Sequence, residues 1–216
     1  MNRSVFFLWL FAFLCASGLY LFTLDLELGH LNRVIKATPM VLLMAFVWVS
    51  SHSMTRRFLM LALSFSLLGD MLLSFDGFFI MGLAAFLLAQ LTYTVLFLKF
   101  KHSAKYFKAW LAYILLYILC MASIVLPSVM ENDAVLAVII GAYMCAISAM
   151  AICAGLQTTP SVYMTAAGAF IFVVSDSLIA MNKFVAPIEY AGIGIMSTYY
   201  TAQLLIVFGM VRRQHT

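Results

Sequence analysis

Long apolar runs alternate with short polar clusters along the whole chain. A helix needs about 20 predominantly apolar residues to cross the hydrocarbon core of a bilayer. The clusters that cut the chain are Asp25 to Asn32, Ser51 to Arg56, Asp76-Gly77, Lys99 to Lys105, Pro127 to Asp133, Gln157 to Ser161, and Asn182 to Glu189. They leave eight predicted spans: 5–24, 33–51, 57–75, 78–98, 108–127, 133–155, 161–182 and 189–211. The first run, Val5 to Leu24, is too long for a signal h-region and lacks an A-x-A site, while Leu14 before Cys15 spoils a lipoprotein cleavage box. It reads as a span. Every connection is short, so the expected architecture is a single all-α domain over residues 1–216, a polytopic bundle of eight transmembrane helices. Any chemistry must then be housed among the helices.

Composition removes the soluble alternatives. Of 216 residues, 66% are apolar and 9% charged, with a mean hydropathy of +1.09. Soluble domains are about 45–50% apolar and about 25% charged. Disorder, a nucleic-acid binder and a secreted disulfide scaffold are all excluded by these values. Cys15, Cys120, Cys145 and Cys153 lie in apolar runs without a CxxC pair, and read as buried apolar packing residues.

Charge placement tests the span count independently, because Lys and Arg stay on the cytoplasmic side. With the N-terminus inside, the cytoplasmic segments hold Arg3, Arg56, Arg57, Lys99, Lys101, Lys105, Lys108, Arg212 and Arg213 and no acid. The opposite side collects Asp25, Glu27, Asp76, Glu131, Asp133 and Glu189, with Arg33, Lys36 and Lys183 as its basic residues. Both termini are therefore expected in the cytoplasm. The net charge of +4 reports this topology and an attraction to anionic lipid, with no nucleic-acid partner and no required protein partner.

Against this apolar background two acids sit inside spans: Asp70 in Leu67-Leu68-Gly69-Asp70-Met71-Leu72 and Asp176 in Val174-Ser175-Asp176-Ser177-Leu178. Buried charges are costly, and usually face a bundle interior or a cavity. Lys36 enters the second span and Lys183 ends the seventh at the same outer level, so four charges from three helices share one depth. Two ion pairs fixing helix register are the bland explanation. A catalytic or binding constellation is the other.

Further polar side chains extend the set. Ser66, Asp70 and Ser74 recur at i, i+4, while Tyr199 and Tyr200 precede Gln203 by four and three residues. Gln90 and Tyr93 stand at i, i+3 on the fourth span. Each taken singly is an ordinary interhelical hydrogen-bonding residue. Gly69 clears space beside Asp70 either for a substrate or for a packed helix. The 15 methionines and 19 phenylalanines suit an adaptable lipid-tail pocket, and suit plain packing against lipid equally. Asp70 followed by Ala89-Gln90-Leu91 echoes Asp176 followed by Ala202-Gln203-Leu204. Four spans separate the copies, which predicts a parallel four-plus-four repeat, with chance similarity between apolar helices as its rival.

Lys36-Ala37-Thr38-Pro39-Met40, Leu67-Leu68-Gly69-Asp70, Gln90-Leu91-Thr92-Tyr93, Ser175-Asp176-Ser177, Lys183-Phe184 and Tyr199-Tyr200-x-x-Gln203 together resemble the YhhN family of lysoplasmalogenases. The resemblance runs from Arg33 to Gln203. It implies an eight-span membrane hydrolase that cleaves the vinyl ether bond of lysoplasmalogens, releasing a fatty aldehyde and glycerophosphoethanolamine or glycerophosphocholine. The family's two indispensable aspartates match Asp70 and Asp176. The family pattern carries a His where this chain has Gln90, so the resemblance assigns no titratable group there.

The residues suit that chemistry on their own terms. A vinyl ether is cleaved by protonating its β-carbon, adding water to the resulting oxocarbenium ion and collapsing the hemiacetal. One carboxylic acid must supply a proton and one carboxylate must steady the cation and accept a proton from water. No metal, cofactor or nucleophilic Ser is required. Lys36 or Lys183 is expected at the lipid phosphate, with Tyr199, Tyr200, Gln203, Gln90, Tyr93 and Ser66 lining the substrate site. In a bacterium the expected home is the inner, cytoplasmic membrane, with the site toward the non-cytoplasmic half. A small-solute or proton-coupled transporter using the same aspartates is the rival class. A lipid-binding scaffold, in which both aspartates are dispensable, is a third.

Overall fold

The structure, a computed structural model, describes residues 3–24, 26, 29–51, 53–101, 107–156 and 162–212. Among them run eight α-helices: α1 Arg3–Thr23, α2 His30–Ser50, α3 Ser53–Leu72, α4 Phe79–Lys99, α5 Phe107–Met130, α6 Ala134–Ala154, α7 Val162–Ala180 and α8 Ala191–Arg212. A π-helical turn, Met181–Val185, continues α7. The fold is all-α, as the apolar periodicity predicts.

Seven of the eight helices are long and apolar enough to cross a membrane. The exception is α3, which carries Arg56, Arg57 and Asp70. It lies against α2, α4 and α8. Lys36, near the start of α2, meets Asp70, near the end of α3, so the two helices run antiparallel over a similar length. The two arginines are the fourth and fifth residues of α3, and Asp70 is buried at 3% exposure. The chain is a multi-pass integral membrane protein.

Local chemistry explains the helix ends. The Asp133 carboxylate caps α6 by accepting from the backbone N–H groups of Val135 and Leu136 at 2.9 and 3.0 Å. After Leu72 the chain tightens, with Ser74 N–H donating to the Met71 carbonyl at 3.0 Å. It then turns through Gly77 at φ +82°, a conformation that glycine adopts without strain. The third helix therefore stops at Leu72 rather than residue 75.

Large apolar side chains such as Phe7, Phe22, Trp48, Leu116 and Val138 cover the outer surface, as expected where the solvent is hydrocarbon. With lipid outside, close packing of small residues rather than water exclusion holds the helices together. A Cβ on Gly69 of α3 would lie 2.7 Å from the Phe86 ring and 3.0 Å from the Gly82 carbonyl of α4. The packed-helix explanation of Gly69 is therefore the correct one. On α7, a Cβ at Gly168 would meet the backbone of α8 at Ile206 N, 2.8 Å away.

The thiols depart from expectation. Cys153 is buried, but Cys15, Cys120 and Cys145 are exposed, and all four are free. Their weakly polar side chains are compatible with hydrocarbon, so an apolar run does not require them inside.

Arg3, Arg56 and Arg212, from α1, α3 and α8, surround a cavity of about 630 Å³ at the end opposite Asp70. Lys99 ends α4, while Asp133 and Glu189 lie by the helix starts at the other end. Asp25, Glu27, Lys105 and Arg213, used in the charge reading, lie outside the described residues.

The buried apolar residues form two clusters. The larger joins most of the bundle through residues such as Phe13, Leu43, Phe97, Phe172 and Ile206. The smaller holds Val125 and Val129 of α5 with Ile140 of α6.

Candidate active site

Both aspartates face one cavity of about 520 Å³, which Lys36, Lys183, Asn182, Ser175, Tyr20 and Tyr199 also line. The four charges grouped by depth thus meet in space. They do not form two ion pairs.

Asp70 is held by α2. Its Oδ1 lies 2.8 Å from Lys36 Nζ. The same ammonium donates to the Asp70 carbonyl and to Ser74 Oγ, each at 2.9 Å. Lys36 thereby uses all three of its N–H groups. The Tyr200 hydroxyl of α8 donates to the Lys36 carbonyl at 2.8 Å, fixing the segment just before Pro39. Asp70 Oδ2 is buried without a hydrogen-bond partner among the described residues.

Asp176 is held quite differently, by neutral donors. Gln90 Nε2 of α4 donates to its Oδ2 at 3.0 Å. The Tyr143 hydroxyl of α6 donates to the same oxygen. Gln90 Nε2 and the Tyr143 oxygen are themselves 2.6 Å apart. Helices α4 and α6 therefore converge on Oδ2 of this α7 residue, and no hydrogen bond among the described residues engages Oδ1.

The remaining expected residues form a third network. Tyr93 donates its hydroxyl proton to Gln203 Oε1 at 2.6 Å, and Gln203 Nε2 donates to Ser66 Oγ at 3.0 Å. These three are fully buried and tie α3, α4 and α8 together. None of them lines the cavity. Beyond them toward the arginine-bearing end, Leu59, Ala62, Leu63, Phe97 and Met210 are fully buried, with the hydroxyl side chains of Thr55 and Thr165 buried among them and no charged side chain buried there among the described residues.

The i, i+4 stripe is split by this arrangement. Ser66 serves Gln203, whereas Ser74 serves Lys36. Lys183, on the π-helical turn, pairs with no acid among the described residues; its Nζ lies 4.6 Å from the centre of the Phe79 ring. Such a turn re-aims side chains at a helix end.

Sequence reasoning missed Tyr143 and Tyr20. Tyr143 offers one signal, a lone phenol in the otherwise apolar stretch Val138-Ile139-Ile140-Gly141-Ala142-Tyr143-Met144. Among the described residues, no three His, Cys, Asp or Glu side chains group as a metal site.

Two carboxylates on one cavity, each anchored by a different set of helices, define an integral membrane protein with an acid pair inside its bundle. The chain matches the YhhN family over residues 31–210, and it belongs to that family. It is 32% identical over 211 residues to the lysoplasmalogenase of Mycobacterium bovis, covering 90% of this chain and 79% of that one. It is 33% identical over 210 residues to human lysoplasmalogenase TMEM86B, covering 94% and 87%. With lysoplasmalogenase TMEM86A of Bos taurus the identity is 30% over 196 residues, covering 83% and 78%. No solved structure matches the chain.

Proposed function

We propose that this protein is a lysoplasmalogenase, hydrolysing the vinyl ether bond of a lysoplasmalogen to a fatty aldehyde and a glycerophospho-alcohol. The observation that carries the reading is the pairing of family membership with two aspartates on one intramembrane cavity. The environments divide the labour. Asp176, facing neutral donors, carries the proton; Asp70, beside the Lys36 ammonium, acts as carboxylate.

Asp176 transfers its proton to the β-carbon, and the vinyl π electrons form the new C–H bond. The positive charge is shared between the α-carbon and the ether oxygen, where the Asp70 carboxylate steadies it. Water adds to the α-carbon and gives a proton to Asp70. The hemiacetal hydroxyl then returns a proton to Asp176 while Asp70 protonates the ether oxygen. The C–O bond breaks to aldehyde and alcohol, and both aspartates regain their starting states.

With the N–H groups of Lys36 occupied, the lipid phosphate falls to Lys183, whose exposed ammonium stands at the cavity edge. Among the described residues no charged side chain is buried below the Tyr93–Gln203–Ser66 network, which favours hydrolysis over a charge relay that crosses the bundle. In a bacterial cell the protein belongs in the inner membrane, with this cavity on the non-cytoplasmic side.

The test is aldehyde release from lysoplasmenylethanolamine and lysoplasmenylcholine by the purified protein in detergent, with a chelator present. Release is expected, and no divalent ion is needed. Absence of aldehyde from both lipids, in protein shown to be folded, would remove the assignment.

A further inference from the structure

Asp176 lines a second space as well as the polar cavity: an apolar crevice between α4, α5, α6 and α7. The two spaces share Leu73, Phe79, Phe86, Asp176 and Ile179 as a common wall. They differ in chemistry. The polar cavity presents Lys36, Asp70, Asn182 and Lys183. The polar side chains of the crevice are Tyr143, Asp176 and Ser177, and its other lining residues are apolar.

The crevice lies where the two apolar clusters fail to merge. Phe86, Ile147 and Val173 of the larger cluster form one side, and Val125 and Ile140 of the smaller form the other. Its enclosed volume of about 60 Å³, against about 520 Å³ for the polar cavity, is too small for a head group, and a chain enters it by displacing the adjustable side chains that line it. Met121 and Met144 also line it, and both are only partly buried. Unbranched thioether side chains of this kind adjust to an irregular occupant.

In a lysoplasmalogen the vinyl ether is the junction between a polar head and an apolar chain. Asp176 stands at the junction between a polar cavity and an apolar crevice. The order along the lipid matches the order along the protein, with the acid at the scissile group.

We propose that the alkenyl chain of the substrate lies in the crevice between α4, α5, α6 and α7, and that Ile118 of α5 and Met144 of α6 set the chain length accepted. The substrate class rests on the lysoplasmalogenase reading; the position of the chain does not depend on turnover. Ile118 and Met144 are partly buried, so larger side chains there fill the crevice with less strain on the core.

Two measurements test the proposal. In the first, Ile118→Trp and Met144→Trp are assayed on lysoplasmenylethanolamines with octenyl and octadecenyl chains. The octadecenyl KM should rise about tenfold while the octenyl KM and both kcat values hold. In the second, the wild-type protein is irradiated with a non-hydrolysable alkyl-ether lysophosphatidylethanolamine carrying a diazirine on its terminal carbon. Cross-links should map to α5 and α6, and Ile118→Trp should lose them.

Cross-links on α5 and α6 without hydrolysis of any lysoplasmalogen would keep the crevice and overturn the hydrolase reading. Hydrolysis with cross-links confined to other helices would do the reverse. Cross-links on α5 and α6 with an unchanged length profile in both variants would overturn the role of Ile118 and Met144.

Discussion

The two aspartates differ in what holds them, and that difference decides how each substitution reads. Asp70→Asn and Asp176→Asn keep size and hydrogen-bonding capacity but cannot exchange a proton at neutral pH. Each should abolish aldehyde release in folded protein, and the double variant should be barely worse than either single one, because groups acting as a unit are non-additive. Turnover like that of wild type in either single variant would end the two-aspartate mechanism. Tyr143→Phe removes one of two donors to Asp176 Oδ2 and leaves Gln90. A hydrogen bond to an ionised group is worth about 1.5–3 kcal/mol. Asp176 becomes ionised after the first proton transfer, so kcat should fall by roughly 10- to 100-fold with little change in KM. A change confined to KM would mean that Tyr143 only shapes the cavity. Asp70, Asp176 and their shared depth were legible because charge stands out in hydrocarbon. Tyr143 was not, since a single phenol in an apolar helix carries little weight before its neighbours are known. The occupation of Lys36 was equally hidden, because sequence gives its depth but not the number of acceptors around it.

Among the elements, α3 and α4 approach closely where side chains are missing. Gly69→Ala would place a methyl group 2.7 Å from the Phe86 ring and 3.0 Å from the Gly82 backbone. Overpacking of this kind costs about 1–3 kcal/mol. Because Phe86 lines both the polar cavity and the apolar crevice, KM should rise together with the loss of stability. A lower melting temperature in detergent with an unchanged KM would show that Phe86 yields without disturbing either space. The helices themselves were readable from apolar runs, with boundaries moved by a few residues at turns such as Gly77. The π-helical turn was not readable. Met181-Asn182-Lys183-Phe184-Val185 has no residue that forces an extra residue into the turn, and packing decides it. The grouping of α4, α6 and α7 around Asp176 was also beyond hydropathy, which reports that a helix is buried but not which neighbours it has.

For the molecule as a whole, the two charge sets at opposite ends make topology a direct test. A cytoplasmic reporter fused after Thr216 should be active, and the same reporter inserted at Glu131 should be silent. The reverse pattern would invert the bundle and move the cavity to the cytoplasmic leaflet. A further consequence follows from Asp70 and Asp176 lining a single cavity. A proton carried across the full membrane at 100 mV exchanges about 2.3 kcal/mol with the electric field. Protons passed among two carboxylates, a water molecule and a substrate at one level travel almost none of that distance. On the proposed mechanism the reaction is therefore expected to be electrically silent. In liposomes holding the protein, imposing or collapsing a membrane potential should leave the rate of aldehyde release unchanged, and a rate that follows the voltage would mean that protons reach these aspartates from the far side of the bilayer.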